Sequence, residues 1–300
     1  MDSSPRVTVL GIGAIGYGMA VSLLRAGLDT TVWNRTRSKA EPLGALGAKV
    51  ADDPASAVHG ADVVVTALFD ADADAEVMAL ALPEMAPGSA WVQSSTVGAT
   101  GAVRLAALAE EHGVAFVDAP VLGTRKPALA GRLIVLVGAP HELRPLVAPV
   151  LDAIGERTVW VAEQPGPASR LKLVCNAWIA TLTAGVAQSV QLSRAWGLDP
   201  QLFFDAIGGS APDSPYAHIK GAAMLSGDFE PQFELAGLRK DLALIAADAQ
   251  TAGVPTELVD ALAHAYATAA GADDTRDIAA VVDAFGPRRA EWPLEPPASA

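Results

Sequence analysis

The sequence predicts an α/β protein: a doubly wound, mostly parallel sheet in its first half and an all-helical region in its second. Three observations carry this reading. Short apolar runs of β type alternate with Ala/Leu-rich helical segments from Val7 to about Val161, the rhythm of strands and crossover helices in a sheet covered on both faces. The alternation stops after Gln164-Pro165-Gly166-Pro167, and no strand signal returns. Hydrophobic residues make up 51% of the 300 residues and charged residues 18%, enough to fill two ordinary domain cores.

The first strand is the apolar run Val7 to Leu10. It enters Gly11-Ile12-Gly13-Ala14-Ile15-Gly16, and a helix follows from Ala14 to Ala26, closed by Gly27. A strand, a G-x-G-x-x-G turn and a helix in that order form the setting of a dinucleotide site in a Rossmann domain. Gly11 permits the tight turn, Gly13 lets backbone approach a pyrophosphate, and Gly16 lets helix and strand pack closely. The helix N-terminus then offers free N–H groups and a positive dipole end to the phosphates. Glycine turns alone are common; the strand before and the helix after favour binding.

The second strand, Thr30 to Trp33, bears on which dinucleotide. NAD-binding versions place a carboxylate at its end for the ribose 2′-hydroxyl. Here that end reads Asn34-Arg35-Thr36-Arg37-Ser38-Lys39. No carboxylate stands there to repel a 2′-phosphate, and Arg35, Thr36 and Lys39 supply donors for one. The plain alternative is a solvated basic turn. The position at the strand end favours NADP.

Further strands are predicted at Asp62 to Leu68, Ala90 to Ser94, Ala115 to Ala119, Leu133 to Val137 and Thr158 to Val161, with helices such as Val103 to Glu111 and Glu142 to Ile154 between them. Ligands of such sheets sit at the carboxyl ends of the strands. The loops Leu68-Phe69-Asp70, Ser94-Ser95-Thr96 and Pro120-Val121-Leu122-Gly123-Thr124 are therefore candidate site segments. The acidic stretch Asp70 to Glu76 reads as a helix N-terminus, which favours carboxylates, rather than a metal site.

From Ala168 to Trp196 the chain has no internal proline, which predicts one long, mostly apolar helix. Helical segments follow at Pro200 to Ile207, Leu235 to Thr251 and Thr256 to Ala270. The expected organisation is a cofactor domain over 1–164, an all-helical substrate and dimerisation domain over 165–286, and a flexible tail over 287–300 with four prolines. The long helix is apolar on more faces than one small helical domain covers, which predicts a homodimer.

Charge excludes some partners. Lys and Arg total 21 against 34 Asp and Glu, a net charge of −13, so neither nucleic acid nor an anionic membrane is expected as a partner. The single cysteine, Cys175, allows no intramolecular disulfide. Met1 to Arg6 lacks the apolar core of a signal peptide. A cytoplasmic protein acting on a small molecule is expected. The five histidines are scattered without metal-ligand spacing, and no metal is expected.

Two pairs of residues could do chemistry. Lys172 and Asn176 lie four apart on the long helix and share a face. Partial burial would lower the Lys172 pKa toward the range of a proton donor, with Asn176 accepting from its ammonium. A snorkelling lysine and an interhelical asparagine fit the same residues, and the residues alone do not choose. Cys175 reads as a small buried residue rather than a nucleophile. Lys240-Asp241 is a charged helix turn or a second part of the site. Tyr216, His218 and Lys220 are read as a loop-like polar segment.

Several segments in fixed order resemble the β-hydroxyacid dehydrogenases, a family that includes 3-hydroxyisobutyrate dehydrogenases, tartronate semialdehyde and glyoxylate reductases and a related imine reductase branch. The resemblance runs from Val7 to about Gly286. It rests on Gly11 through Met19-Ala20, Asn34-Arg35-Thr36, Ser94-Ser95-Thr96, Asp118-Ala119-Pro120-Val121, Gly131-Arg132-Leu133, Gly166…Lys172…Asn176 and Lys240-Asp241-Leu242. It implies a Rossmann domain, a long interdomain helix and an all-α domain forming most of a homodimer interface. It implies that Lys172 is the catalytic acid/base, that Asn176 is its companion, and that Thr96 and Lys240 contact the cofactor near the nicotinamide.

One departure matters. The family commonly carries Ser-Gly-Gly after the Asp-Ala-Pro-Val segment, where it binds a substrate carboxylate; this chain has Leu122-Gly123-Thr124. Imine reductases alter this region too, but usually replace the lysine, which this chain keeps. The expected activity is an NADP-dependent oxidoreductase acting on a small carbonyl or hydroxy compound. Leu122, Gly123, Thr124 and Tyr216 are expected at the substrate, with Thr124 or Arg125 as replacement donors. The alternatives are an imine reductase and a cofactor-binding module without catalysis.

Overall fold

The computed structural model describes residues 4–286. These fall into two compact units, one of residues up to Ala177 together with Lys240–Thr256, the other of Trp178–Arg239 together with residues from Glu257 onward. The units thus cut the chain differently from a linear division at 164/165, because segments beyond that point are bonded to the sheet. The tail expected at 287–300 lies outside the described residues.

The first unit begins with β1 (Val7–Leu10), α1 (Ala14–Arg25), β2 (Thr30–Trp33), α2 (Glu41–Gly44), β3 (Lys49–Val50), α3 (Pro54–Val58), β4 (Val63–Thr66), α4 (Ala71–Ala81), β5 (Ala90–Gln93), α5 (Gly98–Glu111) and β6 (Ala115–Asp118). It continues with β7 (Val121–Leu122), α6 (Arg125–Ala130), β8 (Leu133–Gly138), α7 (Arg144–Ile154), β9 (Gly155–Ala162) and the start of α8 (Pro167–Ala195). The strand order is β3-β2-β1-β4-β5-β6-β8-β7, with β9 pairing β8. Pairing is parallel from β3 through β6 and between β8 and β9; β8 runs antiparallel to β6 and β7.

The sequence pattern follows from this layering. Every residue of β1, β4 and β5 is buried, so these strands read as mostly apolar runs, each with one buried polar residue (Thr8, Thr66, Gln93), rather than as alternating ones. Two core clusters lie on the sheet's faces. One gathers Val7, Val9, Met19, Leu23, Val63 and Val65, the other Leu10, Val64, Met78, Trp91 and Leu105. The Trp91 and Phe116 rings meet edge to face at 5.0 Å.

The strand order reverses at β1, so the loops after β1 and β4 flank a switch point, where doubly wound sheets bind ligands. Two contacts hold α6, which follows β7, against α1. A Cβ on Gly18 of α1 would meet the Ala128 Cβ of α6 at 2.5 Å, so the two helices cross closely. Ser22 Oγ donates to the Ala128 carbonyl at 2.9 Å.

The second unit is helical. It contains the remainder of α8, α9 (Gln201–Ile207), α10 (Pro215–Ser226), the start of α11 (Leu235–Thr251), α12 (Glu257–Ala270) and a 3₁₀ stretch, Ile278–Phe285. Its polar pin is Asp277, whose carboxylate meets the buried Lys220 at 2.6 Å and accepts from the backbone N–H groups of Gln232, Phe233 and Ala279. Tyr216, His218 and Lys220 therefore stand on α10 and not in a loop. The Ser214-Pro215 start, with Ser214 accepting the Tyr216 N–H, is the capping signal behind the difference.

Candidate active site

The glycine loop shows which glycines the protein itself requires. Gly11 has φ +98°, and a Cβ there would lie 2.6 Å from the Ala67 carbonyl oxygen. A Cβ on Gly16 would lie 1.9 Å from the Gly11 carbonyl oxygen. Both are fixed by packing of strand, turn and helix. Gly13 is different: it is exposed, its φ is an ordinary −80°, and a Cβ there would meet nothing within 4 Å. No contact among the described residues explains this glycine, whereas close approach of a phosphate to the backbone does. Gly13 is also the N-cap of α1 without a side-chain cap bond, and the first turn holds no acidic residue. The helix end is thus left open to an anion. Ala14 and Ile15 form that first turn, and Ile12 is buried beneath the loop.

Asn34 locks the loop to the end of β2. Its Oδ1 accepts the Ile12 N–H and its Nδ2 donates to the Thr36 carbonyl, both at 2.9 Å. The basic turn beyond it divides in two. Arg37 is engaged, with an ion pair to Asp52 at 2.5 Å and a longer one to Glu41 at 3.8 Å. Arg35 and Lys39 are exposed and meet no carboxylate among the described residues. Their charges remain available to a phosphate group. These features fit a dinucleotide with its pyrophosphate at Gly13 and its ribose at Arg35.

The second cluster lies in the same unit. α8 begins under the control of Asp118 at the end of β6. The Asp118 carboxylate accepts the Gly166 N–H at 2.8 Å, the Ser169 N–H at 3.1 Å and the Ser169 hydroxyl at 2.7 Å. One turn on, Lys172 donates from Nζ to Asn176 Oδ1 at 3.0 Å. Asn176 Nδ2 donates to Asp241 Oδ2 at 2.6 Å. The other carboxylate oxygen of Asp241 pairs with Lys240 Nζ at 2.9 Å, and Lys240 also donates to the Thr96 carbonyl at 2.5 Å. The Phe69 ring stands 5.5 Å from the Lys240 Nζ. Lys172, Asn176 and Asp241 are 8%, 1% and 2% exposed.

This chain runs from a buried ammonium to the loop after β5. Burial pushes the Lys172 pKa down from the usual lysine range, while Asp241 opposes the shift. The snorkelling alternative is thereby excluded for Lys172. Asn176 occupies only one of the three ammonium hydrogens, which leaves donor capacity for a substrate oxygen.

The remaining candidates are placed as follows. The Leu68 N–H donates to Ser95 Oγ at 2.8 Å, which ties the loop after β4 to the loop after β5. Leu122 ends β7, half-buried. A Cβ on Gly123 would lie 2.8 Å from Leu133 Cδ2, and Thr124 is the N-cap of α6 without a side-chain cap bond. Tyr216 belongs to the second unit, where burial and then Asp277 raise its pKa.

Asp241 and Asp118 carry more of the geometry than their sequence setting suggests. Lys240-Asp241 reads as an ordinary ion pair, and that pair forms, but its carboxylate also orients Asn176 across 65 residues of sequence. Asp118 was legible as the end of a strand. Only the fold brings Ser169 to it.

Residues 6–162 match the family described as the NAD binding domain of 6-phosphogluconate dehydrogenase. Residues 166–285 match the NAD-binding family of NADP-dependent 3-hydroxyisobutyrate dehydrogenase. The chain is 32% identical over 281 residues to glyoxylate/succinic semialdehyde reductase 2 of Arabidopsis thaliana, spanning 92% of this chain and 78% of that protein. Its fold superposes on 3-hydroxyisobutyrate dehydrogenase from Salmonella typhimurium with a TM-score of 0.87 at 26% identity, covering 94% of this chain and 100% of that one. A reductive aminase from Aspergillus terreus, solved with NADPH and ethyl levulinate, matches with a TM-score of 0.63 at 25% identity, covering 94% and 100%.

Proposed function

The chain belongs to the NAD(P)-dependent 3-hydroxyisobutyrate dehydrogenase family of oxidoreductases, and from that premise we propose that it is an NADP-dependent reductase of a small carbonyl compound, with Lys172 as the proton donor. The observation that carries this is the buried relay Lys172–Asn176–Asp241–Lys240, which aims an ammonium from α8 and ties it to Thr96. Such a cation is costly to bury without a task.

When bound, the nicotinamide cofactor would supply a hydride to the carbonyl carbon. The chain's own residues hold and move the proton. Asn176 takes one N–H of the Lys172 ammonium and leaves the others for the carbonyl oxygen. As that oxygen gains negative charge, the nearby cation stabilises it and then protonates it. The lowered pKa of Lys172 brings its donor strength toward the working range of a general acid. Arg35, Thr36 and Lys39 select NADP by binding the 2′-phosphate. A second copy of the chain covers the apolar face of α8.

The fold match to a reductive aminase raises imine reduction as a second reading. An ammonium at Lys172 disfavours it, because a protonated imine is itself a cation. One panel tests both: succinic semialdehyde, glyoxylate, an uncharged aldehyde and a cyclic imine, each followed by loss of NADPH absorbance. Turnover of a carbonyl compound that Lys172→Ala abolishes is expected. Turnover of the imine alone would replace the proposal with the second reading. No turnover of any class would leave a binding module.

A further inference from the structure

The helix that carries Lys172 is capped from another strand. Gly166 precedes α8, and its carbonyl accepts the Arg170 N–H at 2.9 Å. A glycine has no side chain for the N–H groups left over at a helix start, which the residue before a helix commonly accepts itself. Its φ of +108° is one that side-chain-bearing residues rarely adopt. Asp118 does this work from 51 residues before Ser169. One carboxylate oxygen accepts the Gly166 and Ser169 N–H groups at 2.8 and 3.1 Å, and the other accepts the Ser169 hydroxyl at 2.7 Å. Asp118 itself is the last residue of β6 and is fully buried, with its register fixed by β5 on one side and β8 on the other. A local cap would only start the helix. This one ties the start to the sheet.

The consequence falls on Lys172. Ser169, Lys172 and Asn176 stand at i, i+3 and i+7, on one face of α8. All three are buried, so they form a polar stripe inside a mostly apolar helix. Asp118 holds the stripe at Ser169, and Asp241 holds it at Asn176. The ammonium lies between the two anchors. Four residues beyond Asp118 stands Leu122, expected at the substrate. The same carboxylate therefore joins the helix of the proton donor to the strand that leads into the substrate loop. We propose that Asp118 is a positioning residue for Lys172: its three bonds register the start of α8 against the end of β6 and so set the reach of the ammonium to the substrate. This rests on the reading of Lys172 as the proton donor.

A tie that is only structural costs stability and leaves the turnover of folded molecules alone. A positioning tie acts through Lys172, so its effect on turnover vanishes once Lys172 is gone. The test is a cycle of four full-length proteins: unmodified, Asp118→Ala, Lys172→Ala and the double variant. The kcat is measured with the carbonyl compound that the unmodified chain reduces fastest, at a temperature where circular dichroism shows each protein folded. Asp118→Ala should lower kcat about ten- to a hundredfold, the scale on which a shift of about 1 Å at a reacting group acts. Its dissociation constant for NADPH should stay unchanged, since Gly13 and Arg35 are untouched. In the Lys172→Ala background the same change should lower the residual turnover no further. Asp118→Asn keeps an oxygen for the two N–H groups, and its amide nitrogen donates to the Ser169 oxygen. It retains the tie without the charge and should restore most of the kcat.

An unchanged kcat in folded Asp118→Ala overturns the proposal. So does a loss of the same size with and without Lys172, and so does an Asp118→Asn protein as slow as Asp118→Ala. If Asp118→Ala does not fold, Ser169→Ala goes through the same cycle. It removes the hydroxyl bond and keeps both N–H bonds, and its smaller loss should again vanish without Lys172; a loss that persists overturns the proposal. Near-full turnover in Lys172→Ala, or none in the unmodified chain, sinks the reading of Lys172 and this proposal with it. A full Lys172 effect beside an independent Asp118 loss sinks this proposal alone.

Discussion

Asp241 fixes which end of Asn176 faces Lys172. A carboxylate only accepts, so the Asn176 amide nitrogen turns to Asp241 at 2.6 Å. The amide oxygen is thereby presented to Lys172 Nζ at 3.0 Å. Asp241 thus orients a charge it does not hydrogen-bond directly.

The first prediction follows from that relay. Lys172→Ala should lower turnover about 10²–10⁴-fold while leaving NADPH affinity nearly unchanged. Asn176→Ala should lose less, because the ammonium remains. A folded Lys172→Ala protein with near-full turnover would move the acid role elsewhere, with Tyr216 the next residue to test.

The second concerns pH. Reduction needs Lys172 protonated, so its rate should fall as pH rises through the Lys172 pKa. Burial has lowered that pKa, and Asp241 opposes the lowering. In Asp241→Asn the opposition is gone, and the alkaline fall in kcat should begin at lower pH. A profile displaced upward, or unmoved in a folded variant, would show that Asp241 does not act on Lys172.

A third prediction concerns cofactor choice. Arg35 is exposed at the end of β2, while Arg37 is paired with Asp52. NADPH should be preferred over NADH, and Arg35→Asp should erase the preference, a loss on the order of 1.5–3 kcal/mol for charge-assisted bonds. Equal use of NADH by the unmodified protein would refute it; Arg37→Ala should matter less.

The sequence displays some of this and hides the rest, for physical reasons. The run Val7–Leu10 and the glycines after it are legible because a parallel strand buried on both faces is mostly apolar, with only Thr8 polar, and packing dictates Gly11 and Gly16. The helix Pro167–Ala195 differs from its expected limits by one residue at each end. The two-residue strands β3 and β7 are too short to show a period, and α10 was masked by polar residues. Lys172 and Asn176 share a helix face, so their pairing is a local spacing. Asp241 reaches Asn176 from 65 residues away, and Asp118 reaches Ser169 from 51.

The fourth prediction concerns assembly. Val174 and Trp178 lie one turn apart on α8 and are 65% and 63% exposed. By length and hydropathy α8 reaches what a membrane-crossing helix needs, yet 44% of its most apolar window is buried within the chain. A second copy of the same face is the expected cover. Light scattering should give twice the 30.7 kDa chain mass, and Trp178→Glu should shift it toward the monomer. A monomer at micromolar concentration for the unmodified protein would count against this.

The last prediction concerns the substrate. Leu122 ends β7 half-buried, directly before Gly123 and the α6 cap Thr124. In the family this chain resembles, a serine stands at that point and its hydroxyl helps to hold a carboxylate. A leucine offers no donor and turns apolar surface toward the same space. A carboxylate placed there loses a charge-assisted bond, a cost of roughly 1.5–3 kcal/mol, or one to two decades in kcat/KM. Short 3-hydroxy acids and their carbonyl partners should therefore be poor substrates, and an uncharged carbonyl compound should do better. Gly123 must stay as it is, because its φ of +129° is one that side-chain-bearing residues rarely adopt, so the donor cannot be restored at that position. Leu122→Ser restores it at the right one. The measurement is kcat/KM for an acid and its uncharged analogue in both proteins. The ratio should move toward the acid by about tenfold or more in Leu122→Ser. If the acid already wins in the unmodified protein, another group anchors the carboxylate, and Thr124 and Arg125 at the start of α6 are the residues to replace next.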